Sequence, residues 1–172
     1  GERWRAILGV SPTPLVIKGQ DGWFFYGDDG AVADHARQSP MTLDEVQGWR
    51  ETLTRSNGWL RERQTAYVFT IAPDKHTIYP EQMPATLRRV GGISRTDQVY
   101  ETLAGTSVVA VDIRPALVAA RAHERIYRRT DTHWNDLGAL AAYQQIIAAV
   151  RTQAPTVPPA WTRDEFEPVE RD

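Results

Sequence analysis

The chain has 172 residues, with 20 Lys and Arg against 22 Asp and Glu and a formal net charge of −2 at pH 7. That length suits one domain with a proper core, and the near-balanced charge gives no electrostatic footprint for nucleic acid. Cysteine is absent, which excludes disulfides, thiolate nucleophiles and cysteine-based zinc sites. A hydrophobic content of 41% is that of a folded globular protein. No apolar run approaches the ~20 residues of a membrane-spanning helix.

Residues 1–40 read as a lead-in with little helix. Within it "LVIKGQDGWFFYGDDG" predicts a hairpin: a strand from Leu15, a turn over 19–22 where Asp21-Gly22 supplies the turn chemistry, and a second strand over 23–26. Asp28 and Asp29 lack the spaced oxygen ligands of a calcium loop. "SPMTLDEVQGWRETLTRSNGWLRERQ" predicts a helix capped by Ser39 or Thr42, with Asp44 and Glu45 in its first turn and a break near Asn57-Gly58. Residues 66–72 form a short apolar, β-branched and aromatic run that suits a buried strand ended by Pro73. Residues 74–94 read as irregular, because Pro80, Pro84 and Gly91-Gly92 interrupt any helix.

A short helix over about 96–103 leads into "TSVVAVDI", a second buried strand, and Pro115 then starts the helix "PALVAARAHER". Residues 126–128 are extended, and a long alanine-rich helix follows over about 136–152, with Asn135 as its cap. Residues 154–172 are proline-rich, charged and irregular. Buried strands alternating with helices predict an α/β sandwich around a mainly parallel sheet. In such a sheet the carboxyl ends of the strands share one edge, so "APDK" and "DIRP" are expected to face it together.

The chemistry concentrates in "YRRTDTHWNDLGALAAY". In an extended segment residues two apart point the same way, so Asp131 and His133 can meet. The carboxylate then orients the imidazole and leaves its second nitrogen free as a base. A buried structural pair and a metal site remain alternatives on the residues alone. The metal reading requires a further ligand, and His35, His76 and His123 are isolated in sequence.

Four stretches in order resemble the alginate O-acetyltransferase family of the AlgJ/AlgX type: "GQDGWFFYGDD", "IAPDKHTIYPEQMP", "VVAVDIRPALVAAR" and "RTDTHWNDLGALAAY". The resemblance runs from about Lys18 to Tyr143, with Asp74 where the family commonly has asparagine. It implies an SGNH-hydrolase-like three-layer α/β sandwich, with residues 1–40 a hairpin lead-in packed on a domain spanning 41–172. It also implies a periplasmic or membrane-anchored protein that adds acetyl groups to an exopolysaccharide, alginate-like or cellulose-like. The acetyl donor is expected from a membrane-bound O-acyltransferase within an export complex, with no cofactor and no metal.

By the same resemblance Asp131 is the catalytic acid and His133 the catalytic base. The family's nucleophile is a serine well downstream, in a Gly-Asp-Ser motif. The serines here are Ser11, Ser39, Ser56, Ser94 and Ser107, none in that setting, so the domain is expected to be incomplete and this chain alone nearly inactive. An acetylesterase and a non-catalytic polysaccharide-binding or assembly module are the alternatives. Lys75 and Tyr79 stand at matched family positions and are candidate substrate contacts, with a part in loop architecture the favoured alternative. Trp134, Arg128 and Arg129 are further candidates, though packing is the better account of the tryptophan, which beside a helix start usually anchors it. Arg114, Arg121, Arg125, Arg128 and Arg129 against Glu124 form a local positive excess that can steer an anionic polymer or serve as a solvated face.

Overall fold

The computed structural model describes residues 15–27, 30–87 and 89–166. Asp28 and Asp29 lie outside the described residues, as do 167–172. The predicted hairpin is present as β1 (Val16–Lys18) and β2 (Phe24–Tyr26), antiparallel, with Ile17 opposite Phe25. Asp21 and Gly22 take left-handed backbone conformations, which Gly22 adopts without a Cβ penalty. Within the lead-in Ala31–Ala36 forms one short helix, α1.

Helix α2 (Leu43–Arg61) begins at Thr42, whose hydroxyl accepts from the Glu45 N–H while the Glu45 carboxylate accepts from the Thr42 N–H. This reciprocal box satisfies donors that the first turn leaves free and contributes about 1 kcal/mol. The expected break near Asn57 does not occur. Asn57 is buried, and its amide donates to the Ser107 carbonyl at 3.1 Å and to the Ser107 hydroxyl at 3.0 Å. A side chain engaged across the fold no longer competes for its own helix backbone.

Strands β3 (Val68–Phe69) and β4 (Val109–Ala110) are parallel, with Val68 opposite Val109 and Phe69 opposite Ala110. Both are shorter than the apolar runs that contain them. Between them residues 74–94 are not wholly irregular. Lys75–Ile78 forms a single-turn helix, α3, and Pro80–Gln82 a 3₁₀ turn. Tyr79 separates the two at φ −122° and ψ 57°, outside the helical region that a following proline disfavours. Helix α4 (Arg95–Leu103) carries a second capping box, from Ser94 and Asp97.

Helix α5 (Arg114–Arg121) has Pro115 in its first turn, and α6 (Asp136–Gln153) is capped by Asn135, whose side chain accepts from the Gly138 N–H. Two apolar clusters build the interior. Met41, Leu53, Val99, Leu103 and Val108 join α2 and α4 to Phe69, Ile71 and Ala110. Trp23, Phe25, Ile78, Tyr79, Ile113, Leu117, Ile126 and Tyr127 join the hairpin, α3, α5 and α6.

Gly138 sits where α6 meets the chain before it. A Cβ placed there would lie 2.5 Å from the Ile126 carbonyl oxygen and 2.8 Å from Trp134 Cβ. Alanine is the better helix former by about 1 kcal/mol, yet Gly138→Ala is expected to destabilise the protein by about 1–3 kcal/mol through overpacking. A urea unfolding curve with an unchanged or raised midpoint would contradict this close approach.

Candidate active site

The chain on either side of the Asp-x-His closes on itself. Tyr127 and Trp134 form an antiparallel bridge, and the Asn135 N–H donates to the Ile126 carbonyl at 2.9 Å. The Arg128 N–H reaches the His133 carbonyl at 3.3 Å, and the Asn135 side chain holds the Arg125 carbonyl at 2.6 Å. Residues 129–133 bend within this neck rather than running extended as expected.

Asp131 and His133 meet through that bend. Asp131 Oδ1 accepts from the His133 N–H at 2.7 Å, an Asx-type turn, and from the ring Nδ1 at 2.6 Å. An ionised carboxylate can only accept, so this contact places a proton on Nδ1 and leaves Nε2 with its lone pair. The two bonds donated by His133 hold the Asp131 carboxyl below the usual carboxylate range, with Arg128 adding a smaller pull. Thr132 Oγ1 is a weaker neighbour of Nδ1 at 3.4 Å. The pair is open, with the His133 side chain 81% and the Asp131 side chain 50% exposed. No hydrogen bond to Nε2 comes from the described residues.

The loop rests on Lys75, which is 3% exposed. Its ammonium donates to the carbonyls of Arg128 at 2.9 Å, Arg129 at 3.0 Å and Asp131 at 2.7 Å. Three acceptors match the three donors of the group. Burial pushes its pKa down to about 8, against the pull of the Asp131 charge. Beneath it lie the rings of Phe25 and Trp23, at 5.1 Å and 5.5 Å. From the hairpin, the Phe24 N–H donates to the Arg129 carbonyl at 2.8 Å.

Residues 16–168 match a family described as "SGNH hydrolase-like domain, acetyltransferase AlgX". The chain belongs to this family. It is 31% identical over 160 residues to the probable alginate O-acetylase AlgJ of Pseudomonas syringae pv. tomato, an alignment that covers 88% of this chain and 38% of that protein. The corresponding protein of Azotobacter vinelandii is 30% identical over 161 residues, covering 86% and 37%. This chain therefore spans well under half the length of these relatives. Two solved structures share its fold. The O-acetyltransferase domain of Pseudomonas putida AlgJ superimposes with a TM-score of 0.58 at 24% identity, over 84% of this chain and 50% of that one. Bacillus cereus PatB1 gives a TM-score of 0.62 at 14% identity, over 90% and 48%. The SGNH-hydrolase-like α/β architecture expected from the sequence is thereby established.

Within this SGNH-like frame the other candidate residues separate. Lys75 and Tyr79, expected as substrate contacts, are both buried. The Tyr79 hydroxyl accepts from the Ile126 N–H at 3.1 Å, and its ring lies 4.5 Å from that of Trp23. Both side chains thus support the loop from beneath. Trp134 is half-buried and packs edge-on against Tyr127 at 6.3 Å. Arg128 and Arg129 are exposed on the loop itself.

The expected positive excess is partly neutralised. Arg114 is paired with Asp97 and Asp112, Arg121 with Glu81, and Glu124 is taken by Arg163. Missed in the sequence was the support given by Tyr127, whose hydroxyl donates to the Pro73 carbonyl at 2.6 Å and whose pKa burial pushes upward. Also missed was the meeting of His35 and His76, with ring centroids 5.4 Å apart. Their separation in sequence gave no signal of it.

Two measurements probe the support and the pair. Lys75→Met leaves the Arg128 and Asp131 carbonyls without a donor and the Arg129 carbonyl with only the Phe24 N–H, so a stability loss of about 1–3 kcal/mol is expected, with faster amide exchange at Phe24 and in the 128–133 loop. Unchanged exchange there would remove Lys75 as the anchor. Asp131 has a folded pKa below its ordinary value of 3.8, so its bonds to His133 contribute stability above that value and lose it as pH falls through the lower folded one. Asp131→Asn should accordingly be less stable than the parent at neutral pH and converge with it in acid. A carboxyl carbon resonance titrating at or above the ordinary value would refute the bonding.

Proposed function

We propose that this chain carries the acid–histidine half of an acetyl-transfer site, in an O-acetyltransferase that modifies an exported polysaccharide such as alginate. The observation that carries the reading is the 2.6 Å contact of Asp131 Oδ1 with His133 Nδ1 on an open loop, which leaves Nε2 as a base directed to solvent. In the first half-reaction Nε2 takes the proton of a serine hydroxyl as its oxygen attacks the acetyl carbonyl of the donor. Asp131 stabilises the imidazolium, which then protonates the departing group. In the second, a sugar hydroxyl loses its proton to Nε2 while attacking the acetyl-enzyme, and the proton returns to the serine oxygen.

Family membership and the alginate O-acetylase relatives support this reading. Ser94 and Ser107 are engaged with Asp97 and Asn57, and among the described residues no serine bonds His133. We assign the nucleophile to a part of the protein outside the described residues. Arg128 and Arg129 flank the pair and are suited to hold an anionic polymer near Nε2. An exported polysaccharide as acceptor supports a periplasmic reaction, and in this reading a membrane-bound partner of the export complex hands over the acetyl groups.

The openness of His133 also admits water, which makes an acetylesterase the second reading; product analysis with and without polysaccharide separates the two. In the complete protein, His133→Ala should lower turnover of a chromogenic acetyl ester by about a thousandfold. Retained turnover would take His133 out of the mechanism.

A further inference from the structure

Away from the Asp131–His133 loop, an open cavity of about 370 Å³ lies between α1, α3, the 89–94 segment and the start of α5. Arg37, Arg89 and Arg114 line it, together with His35 and His76. Arg114 is already consumed, holding Asp112 through Nε at 2.8 Å and one terminal nitrogen at 2.7 Å, and Asp97 through the other at 2.6 Å. Arg37 donates one bond to the Gly92 carbonyl. Arg89 makes no hydrogen bond or ion pair with any described residue; burial and the Arg37 charge act against its guanidinium, and Asp97 and Asp34 offset them only from a distance.

Its position is built. The next residue, Val90, donates its N–H to the Ala36 carbonyl at 3.0 Å, and Gly91 does so at 3.3 Å. A Cβ on Gly91 would lie 2.0 Å from the Arg37 carbonyl oxygen, so only glycine allows the strap that carries Arg89 to approach α1 this closely.

The two imidazoles supply the second, independent observation. His76 has a side chain only 5% exposed, and His35 is buried as well. Each has a ring nitrogen without a hydrogen-bond partner, Nδ1 of His35 and Nε2 of His76. His35 donates its other nitrogen to the Leu87 carbonyl at 3.2 Å, so its Nδ1 is an unprotonated lone pair. Burial holds both imidazoles below the ordinary histidine value, and the positive charge of Arg89 presses in the same direction. The carboxylates facing them are few. Asp34 borders the cavity from α1, and Asp74 stands 4.0 Å from His76 Nε2. Asp97 and Asp112 are spent on Arg114. A buried nitrogen without a partner is costly, and the nearby guanidinium charge keeps it from taking up a proton; an anion bound to that guanidinium lifts the repulsion, so the nitrogen can be protonated and donate.

We propose that this cavity is a binding site for a small oxyanion, a carboxylate or phosphate group held by Arg89 and Arg37, and that binding draws a proton onto the His35–His76 pair. Guanidinium groups match the paired oxygens of such anions, and the new negative charge makes an imidazolium tolerable behind them. The site does not depend on acetyl transfer. It shares α3 with the catalytic loop, since Lys75 turns to the loop carbonyls while His76 borders the cavity.

Calorimetric titration of the intact protein with sulfate, at constant ionic strength and in two buffers of different ionisation enthalpy, tests this. Sulfate keeps its charge across the range, so any pH dependence belongs to the protein. Saturable binding that is tighter at pH 6 than at pH 8 and accompanied by proton uptake is expected. Arg89→Gln, at an exposed position, should weaken it by about tenfold or more. Glucuronate binding without glucose binding identifies a sugar carboxylate as the preferred source, whereas phosphate binding without glucuronate binding identifies a phosphate. Absence of saturable binding by any anion, or equal binding by Arg89→Gln, overturns the site. Binding with no proton exchanged overturns the role of the histidine pair, and His76→Gln should abolish that exchange while the protein remains folded.

Discussion

A buried ammonium group beneath a surface loop is the constraint on which the candidate site rests. The carbonyls of Arg128, Arg129 and Asp131 converge on Lys75; the Phe24 N–H of β2 shares the Arg129 carbonyl, and the other two belong to no helix or strand ladder. An ammonium with three donors closes that deficit at one point. Its own burial is costly, and the cost is offset by those three bonds and by the aromatic faces of Trp23 and Phe25. The hairpin, α3 and the Asp-x-His loop therefore form one physical unit although they lie far apart in the chain.

The same unit accounts for two features of the motif around His133. Asn135 caps α6 and at the same time holds the Arg125 carbonyl, so the helix begins only where the neck of the loop is closed. Gly138 lets the first turn of α6 lie directly against Ile126 and Trp134. Histidine is thus delivered on a rigid mount with an exposed ring, which is what a group awaiting a reacting partner requires. The aromatic residue beside it belongs to the mount: Trp134 packs on Tyr127, and Tyr127 anchors to the Pro73 carbonyl after the first strand.

On the function proposed for it, the loop is half of a reaction centre. It presents an oriented base and the carboxylate that stabilises its protonated form, while the nucleophile and the donors for a developing oxyanion have no counterpart among the described residues. That agrees with a chain spanning less than two fifths of the AlgJ proteins it aligns with. The short parallel pair β3–β4, only half-buried, has the same partial character.

Much of this was written in local sequence. Turn chemistry at Asp21-Gly22, caps at Thr42 and Asn135, and apolar runs at the two parallel strands each act over a few residues, and each is found in its expected place. The proximity of Asp131 to His133 was legible because their separation is short, although a turn rather than an extended segment brings them together. Where sequence reading failed, the deciding partner was remote. Ser107 keeps α2 continuous through Asn57, and only burial under the loop tells the two readings of Lys75 apart, in favour of support. His35 and His76 became neighbours only when α1 was laid against α3. Local chemistry chose the elements and the reactive pair. Tertiary packing decided which charges are spent inside the protein and which stay available, because the energy of a buried charge depends on partners that no short window of sequence contains.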